Sequence, residues 1–491
     1  MGLTDKEHRS LLRRIARRAM IEKGLLPDFS DEAIAELAGI QTPAVIDDER
    51  VRNLRDILWA SIDNDDTRDI DQLTAAQAMP GDAVKILVAV ADVDAIVRGG
   101  SAIDDHARSN TTSVYTAAEI FPMLPEKLST DLTSLNFNGN RLAIVVEMLV
   151  GRDGSLQASD IYRAHVCNRA KLAYNGIAAW LEGIGNAPAS LASVNGLEEN
   201  LRMQDRAAQS MKNLRRRQGA LSLETVEARL VFHGDEIRDL EVEKKNRART
   251  IIEEFMIAAN VVAARYLSLG KFPSLRRAVR TPKRWERIVE IAGEHGFELP
   301  QEPDSRALEE FLVKQKGADP QRFPDLSLSI IKLIGPGEYI AVLPGDTDTP
   351  GHFGLAAGAY THSTAPNRRY VDLVMQRLLK AAVGGTPVPY SKDELQAIAI
   401  DCTDKENAAS KVERQVFKSA AAILLESRIG EEFNAIVTGA TPKGTWVRLA
   451  HPPVEGKLMQ GFHGVDVGHR IRVQLIHTDV ESGFIDFKKA E

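Results

Sequence analysis

Apolar residues in the first fifty positions recur at helical spacing. Over residues 4–24, Leu11, Leu12, Ile15, Ala16 and Met20 form one stripe with arginines opposite, which predicts a helix. A second helix is predicted over PDFSDEAIAELAGI. There Ser30 suits the N-cap, Asp31 and Glu32 fill the first turn, and Gly39 marks the end. The third position after Ser30 is Ala33, so no reciprocal capping box closes this start. Past residue 53 the pattern is mixed. Residues 84–93 (VKILVAVADV) and 142–150 (LAIVVEMLV) are continuous β-prone runs. Helical spacing marks residues near 173–183, 197–216, 248–268, 369–382 and 406–428. From residue 429 the chain turns to short alternating strands broken by Gly, Pro and Asp, a rhythm that suits a five-stranded OB barrel. The expected architecture is a multidomain α+β chain. Residues 1–52 form a small helical unit, either of helix-turn-helix type or a plain cap; 53–428 form a mixed α/β domain and 429–491 an OB-fold.

At 491 residues the chain exceeds one ordinary core, which agrees with several domains. No apolar stretch approaches membrane-spanning length, and the start, MGLTDKEHRS, is charged where a signal peptide would be apolar. Cys167 and Cys402 lie far apart, which argues against a disulfide framework and cysteine-rich metal sites. A cytoplasmic location is expected, with no membrane partner. The net charge of −7 speaks against nucleic acid, but the basic residues are gathered. They cluster at Arg9–Arg18, Lys212–Arg217, Lys244–Arg249, Arg276–Arg284 and Arg368–Arg369. Local fields rather than net charge steer a polyanion, so a phosphate-tracking path is compatible with the acidic total.

The densest chemistry lies in SIDNDDTRDIDQL, where Asp63, Asp65, Asp66, Asp69 and Asp71 crowd together between apolar flanks. Carboxylates at the edge of a core are costly to desolvate unless cations neutralise them. Hard oxygen ligands of this kind suit Mg²⁺ or Mn²⁺. Asp69 and Asp71 are two apart, so an extended chain turns both to one face, with Cα atoms roughly 6.5–7 Å apart. That spacing lets them share a pair of ions about 3.5–4 Å apart, with Asp63 as a third ligand, a set that fits phosphodiester hydrolysis. A solvated acidic loop is the bland alternative. A calcium loop starting at Asp63 fails, because Arg68 and Thr74 stand where Gly and Glu are needed. An Asp-x-Asp pair also occurs in sugar-nucleotide transferases, although that reading leaves the terminal barrel unexplained.

The spacing Ile62-Asp63 and Asp69-Ile70-Asp71 resembles the catalytic signature of the ribonuclease II (RNB) family of exoribonucleases. Ordered matches follow: VAVADVDAIVRGGSAID, SVYTAAEIFPMLPEKLSTDLTSLN, IIEEFMIAANVVAA and HFGLAAGAYTHSTAPNRRYVDLVMQRLL. The terminal barrel is similar to the S-one-type domain that closes this family. The resemblance implies a Mg²⁺-dependent, processive 3′→5′ exonuclease, with Mn²⁺ as a substitute ion. Its substrate would be the 3′ end of single-stranded RNA, its products nucleoside 5′-monophosphates, and its default state a monomer. Carried over, Asp63, Asp69 and Asp71 match metal-site aspartates and Arg368 the arginine that grips the phosphate. Tyr115 matches the tyrosine that stacks on the terminal base, while Tyr174 and Glu253 match positions that read the ribose. Arg369 joins the expected RNA-binding set.

Three departures qualify the match. The signature's second adjacent aspartate is Gln72 here, which removes one negative charge from the expected metal set; Asp65, Asp66 or Asp92 would be the compensating acids. Leu223 stands where relatives carry an aromatic base clamp, and Ala365 and Asn367 stand where they carry Ser and an aliphatic residue. Some fifty residues precede the catalytic segment, too few for the two cold-shock barrels of relatives, so the arginine-striped helix is the expected RNA guide. An RNA-binding protein with a weakened or inactive nuclease site is the rival reading. Gln72→Asp is expected to lower the Mg²⁺ concentration needed for half-maximal RNA cleavage. An unchanged requirement would show that position 72 is irrelevant to the ion.

Overall fold

The computed structural model describes residues 8–224, 227–234, 236–243 and 245–490. Residues 4–7 of the first expected helix and Lys244 of one basic run lie outside them. The two β-prone runs become the strands Val84–Ala91 and Asn140–Val150, adjacent in a seven-stranded sheet. The order is Arg52–Asn53, Leu156–Cys167, Asn140–Val150, Val84–Ala91, Gln72–Ala78, Ala60–Asp63, Ala170–Ala173. Neighbours are antiparallel except at the two ends, where Arg52–Asn53 lies parallel to Leu156–Cys167 and Ala60–Asp63 parallel to Ala170–Ala173. The helix Arg247–Leu269 packs on this sheet, and the helix Tyr370–Gly384 packs on that helix and on Leu156–Cys167. Their buried faces join one large core that includes Leu73, Val88, Val145, Phe255 and Leu373.

The terminal segment forms the expected five-stranded closed barrel, Glu432–Thr441, Gly444–Leu449, Glu455–Gln460, Arg470–Asp479 and Phe484–Lys489. A helix was expected to lead into it over 406–428; the actual helix is longer, Lys392–Leu425, and ends earlier. Its start is set by a reciprocal capping box between Ser391 and Glu394. Three further helices, Trp285–Glu294, Ser305–Ala318 and Phe323–Ile334, enclose a separate cluster around Phe311 and Ile330.

The described part of residues 1–52 has no core of its own. The helix His8–Glu22 buries Leu12, Ile15, Ala16 and Met20 in a core shared with Val412, Val416 and the barrel. The helix Asp31–Gly39, capped by Ser30 at the Ala33 amide, instead places Ala33 in the core of the large sheet. Its Glu36 accepts a hydrogen bond from the Ile103 amide at 2.9 Å. Each helix is too short to bury its stripe alone, so each finds a different host. Gly39 is the last residue of the helix, as expected, and Ile40 caps it. Deleting residues 1–50 would therefore bare two cores. Ile15, fully buried, and Val45, 81% exposed, give the test. Ile15→Ala should cost about 2–5 kcal/mol in denaturant unfolding and Val45→Ala within about 0.5 kcal/mol. Equal small effects would mean that the first helix is not part of the core.

Candidate active site

Register delivers the first aspartate. Asp63 ends its strand opposite Ala173 in the parallel pair, and Tyr174 opens a helix directly after Ala173, so Asp63 and Tyr174 arrive side by side. The Asp63 carboxylate accepts hydrogen bonds from the Asn64 amide at 2.8 Å and the Thr67 hydroxyl at 3.0 Å. The run into the next strand is pinned by Ser134, whose hydroxyl accepts from the Ile70 amide and donates to the Arg68 carbonyl, each at 2.9 Å. Ile70 goes into the core, so Asp69 and Asp71 turn together to the opposite face. Asp71 is only 3% exposed. Its carboxylate accepts from the Asn367 amide at 3.0 Å and meets the Arg368 guanidinium at 3.5 Å. The Arg368 carbonyl in turn accepts from the Ser113 amide at 3.0 Å. That contact brings Tyr115 to the same place, where its hydroxyl donates to Asp69 at 3.2 Å. Tyr115 keeps 40% of its surface open and, with Asp69, Asn64 and Asn367, lines a cavity of about 670 Å³.

Burial governs the charges. It raises the Asp71 pKa to about 7, and the neighbouring Asp69 adds to the rise while Arg368 and the Asn367 amide oppose it. Asp69 is also raised, mainly by burial, against the pull of its own backbone hydrogen bond and Arg368. Burial likewise keeps the Tyr115 and Tyr174 phenols protonated. Arg368 is disfavoured by burial yet held charged by Asp71. Its side chain remains 46% accessible, so it can still meet a ligand.

The other expected site residues are spread more widely. Tyr174 lies under the Arg249 guanidinium, 4.8 Å from the ring centre, and Arg249 also donates to Asn64 at 3.0 Å. Glu253 is exposed on the helix Arg247–Leu269, where its recorded ion pair is with Lys245 at 3.8 Å. Its neighbour Glu254 is the buried one, gripped by Arg215 through two bonds of 2.8 and 2.7 Å. Leu223 packs half-buried on the three-helix cluster. Arg369 is turned to the buried Asp372, to which it donates at 2.8 Å, so it braces the arginine motif from behind. Alternation sends Gln72 away from Asp71, and among the described residues no hydrogen bond links its amide to the aspartates. Asp65 and Asp66 are exposed. Asp92 is consumed elsewhere, by Arg163 at 2.7 Å and Lys380 at 2.9 Å, which removes it as a compensating acid. Sequence reasoning missed Ser134, the Asn367 amide and Arg249; backbone capping and cross-chain bracing leave no local pattern to find.

Among the described residues no three His, Cys, Asp or Glu side chains converge into a metal cage. The donor chemistry nevertheless fits Mg²⁺, which keeps several waters and takes one or two carboxylates together with substrate phosphates. Burial disfavours the charged form of both the Asp69 and Asp71 carboxyls, and a divalent ion would favour it.

Residues 51–385 match the RNB domain, and residues 431–490 match the RNase II-type exonuclease C-terminal S1 domain. Ribonuclease R of Aquifex aeolicus (strain VF5) is 31% identical over 454 residues, covering 90% of this chain and 62% of that protein. Ribonuclease R of Escherichia coli (strain K12) is 32% identical over 425 residues, covering 82% of this chain and 50% of that protein. The chain thus spans half to about three fifths of the length of these curated relatives. Mycoplasma genitalium RNase R, solved in complex with ribose-methylated single-stranded RNA, is similar with a TM-score of 0.86 at 21% identity. That match covers 100% of this chain and 79% of the other. Yeast Ssd1, described as a pseudonuclease, is similar at 0.70 and 17%, covering 91% and 55%. At such identities the likeness is one of fold. On the matched segments, the chain belongs to the RNB domain family and ends in an RNase II-type S1 domain.

Proposed function

We propose that the chain is a divalent-metal-dependent 3′→5′ exoribonuclease that shortens single-stranded RNA processively and releases nucleoside 5′-monophosphates. The observation that carries this reading is the meeting of Asp71 and Arg368 beside Asn367, which with Tyr115 and Asp69 lines a cavity. Tyr115, oriented by its bond to Asp69, offers an open ring face to the terminal base, a sequence-tolerant contact. Tyr174 stays a neutral phenol and can hydrogen-bond a ribose hydroxyl, the group DNA lacks. Arg368 is drawn to the cleavage point by Asp71, and its planar fork can hold phosphate oxygens as their charge grows. Asp69 and Asp71 would hold the metal, and Asp63, whose charge acts on Asp69, would add to the negative field around it. When bound, such an ion lowers the pKa of a bound water and stabilises the leaving oxygen.

The rival reading, an RNA-binding protein with a silent nuclease site, draws on Gln72 and on the pseudonuclease that shares this fold. A 5′-labelled oligoribonucleotide incubated with Mg²⁺, with and without chelator, separates the two. Stepwise loss from the 3′ end that chelator stops supports the nuclease; binding without shortening supports the rival. Within the nuclease reading, Arg368→Ala should lower kcat roughly 10²–10³-fold, the usual cost of removing one donor to developing charge. Asp71→Asn should lower kcat at least as much in the same assay. Tyr115→Ala should cost about 1–3 kcal/mol of RNA binding, whereas Tyr115→Phe keeps the ring face and most of the affinity. Equal affinity in all three proteins would remove Tyr115 from the base contact.

A further inference from the structure

Part of the wall of the cavity that Tyr115 and Asp69 line comes from outside both matched family segments. Phe29 supplies it, and Ile120 and Pro122 add further apolar surface. Phe29 is half-buried, and its ring packs on the His106 imidazole with ring centroids 4.0 Å apart. Asn110 fixes the backbone just before it. The Asn110 side-chain oxygen accepts from the Leu26 amide and the side-chain nitrogen donates to the Leu26 carbonyl, both at 2.8 Å. The same nitrogen lies 3.3 Å from His106 Nε2. Burial lowers the His106 pKa to about 4, so at neutral pH the imidazole is uncharged and its Nε2 can accept that bond. Directly after Phe29, Ser30 caps the helix Asp31–Gly39. Phe29 is thus pinned from both sides.

His106 and Asn110 belong to the helix Ala102–Asn110, and the strand Val114–Tyr115 is the next element along the chain. Phe29 and Tyr115 are therefore placed by one short helix, the first by packing on it and the second by continuing from it. The rest of the lining decides which part of a nucleotide the cavity can take. Against one cation, Arg68, the described lining carries three acids, Asp66, Asp69 and Glu126. A phosphate is repelled there and drawn instead to Arg368. Apolar surface with a few neutral polar groups, such as Asn64 and Thr130, suits the uncharged base.

We propose that Phe29 is a specificity-determining residue of the active site: its ring and that of Tyr115 together receive the base of the RNA's 3′-terminal nucleotide. The inference rests on the nuclease reading for placing the 3′ end at Tyr115. A phenyl ring offers no hydrogen bond that would prefer one base over another, and contact with it needs only a π-face. Phe29 therefore selects for a base of any kind and against a 3′ end that lacks one. A segment outside the RNB domain thus completes the wall of the site.

The test uses the full chain with chelator present, so that binding is read without cleavage. Fluorescence anisotropy compares a short 5′-labelled oligoribonucleotide with one of equal length whose 3′-terminal unit is abasic. The unsubstituted chain should prefer the complete oligomer. Phe29→Ala should cut that preference at least about fivefold, the low end of base–aromatic stacking. Phe29→Leu, which still fills the space against His106, should also cut it, and Phe29→Tyr should keep it. The abasic oligomer should bind all four proteins alike. Should the alanine protein unfold, leucine against tyrosine carries the same comparison. An unchanged preference in the alanine and leucine variants, equal losses on both oligomers, or a loss that tyrosine does not prevent would each overturn the proposal. Absence of Mg²⁺-dependent shortening by the unsubstituted chain would overturn the nuclease reading instead, and leave the measured base contact standing.

Discussion

One desolvated carboxylate organises the molecule. Asp71 is removed from water and receives in return one backbone amide and one guanidinium, both from the same tripeptide, Asn367-Arg368-Arg369. The cost of burying a carboxylate is met only when both partners are in place. Two distant parts of the chain, the start of a central strand and the start of the helix Tyr370–Gly384, are therefore coupled through it. The same tripeptide fixes the strand that carries Tyr115, by way of Ser113. Asp71, Arg368 and Tyr115 thus depend on one buried contact.

A second charged network holds that helix from its far side. Arg377 donates to Asp94 and Asp104 at 2.8 Å each, Lys380 reaches Asp92 at 2.9 Å and Asp94 at 2.6 Å, and Arg163 closes on Asp92 at 2.7 Å. Buried ion pairs add little net stability over apolar packing, but they tolerate few alternative arrangements. Here they bind Tyr370–Gly384 to the turns after the strand Val84–Ala91, which fixes where Arg368 projects. Asp372 serves the same end, accepting from the Ala365 amide and from Arg369. Asp92, Asp94 and Asp104 are thereby neutralised within the fold.

Much of this was legible in the sequence because it follows period and spacing. The alternation of Asp69, Ile70 and Asp71 places both acids on one face, and the turn-broken strands after residue 429 close the barrel. The capped start at Ser30 was also readable. What escaped was non-local. The first helix has an amphipathic stripe, but nothing in it says that Val412, Val416 and the barrel receive it. Arg369 looks like its neighbour Arg368 until Asp372 is seen beneath it. Asp92 reads as a spare acid until Arg163 and Lys380, far along the chain, are seen to neutralise it. The fold itself is shared with a protein described as a pseudonuclease, so the chemistry must be argued from these side chains and not from the architecture.

The most direct measurement is an anomalous-scattering map from crystals soaked in Mn²⁺ with a short oligoribonucleotide. The account predicts a metal peak in contact with Asp71, and the terminal linkage lying between that peak and the Arg368 guanidinium. Metal density remote from Asp71, with Arg368 still closed on its carboxylate and the RNA elsewhere, would contradict it.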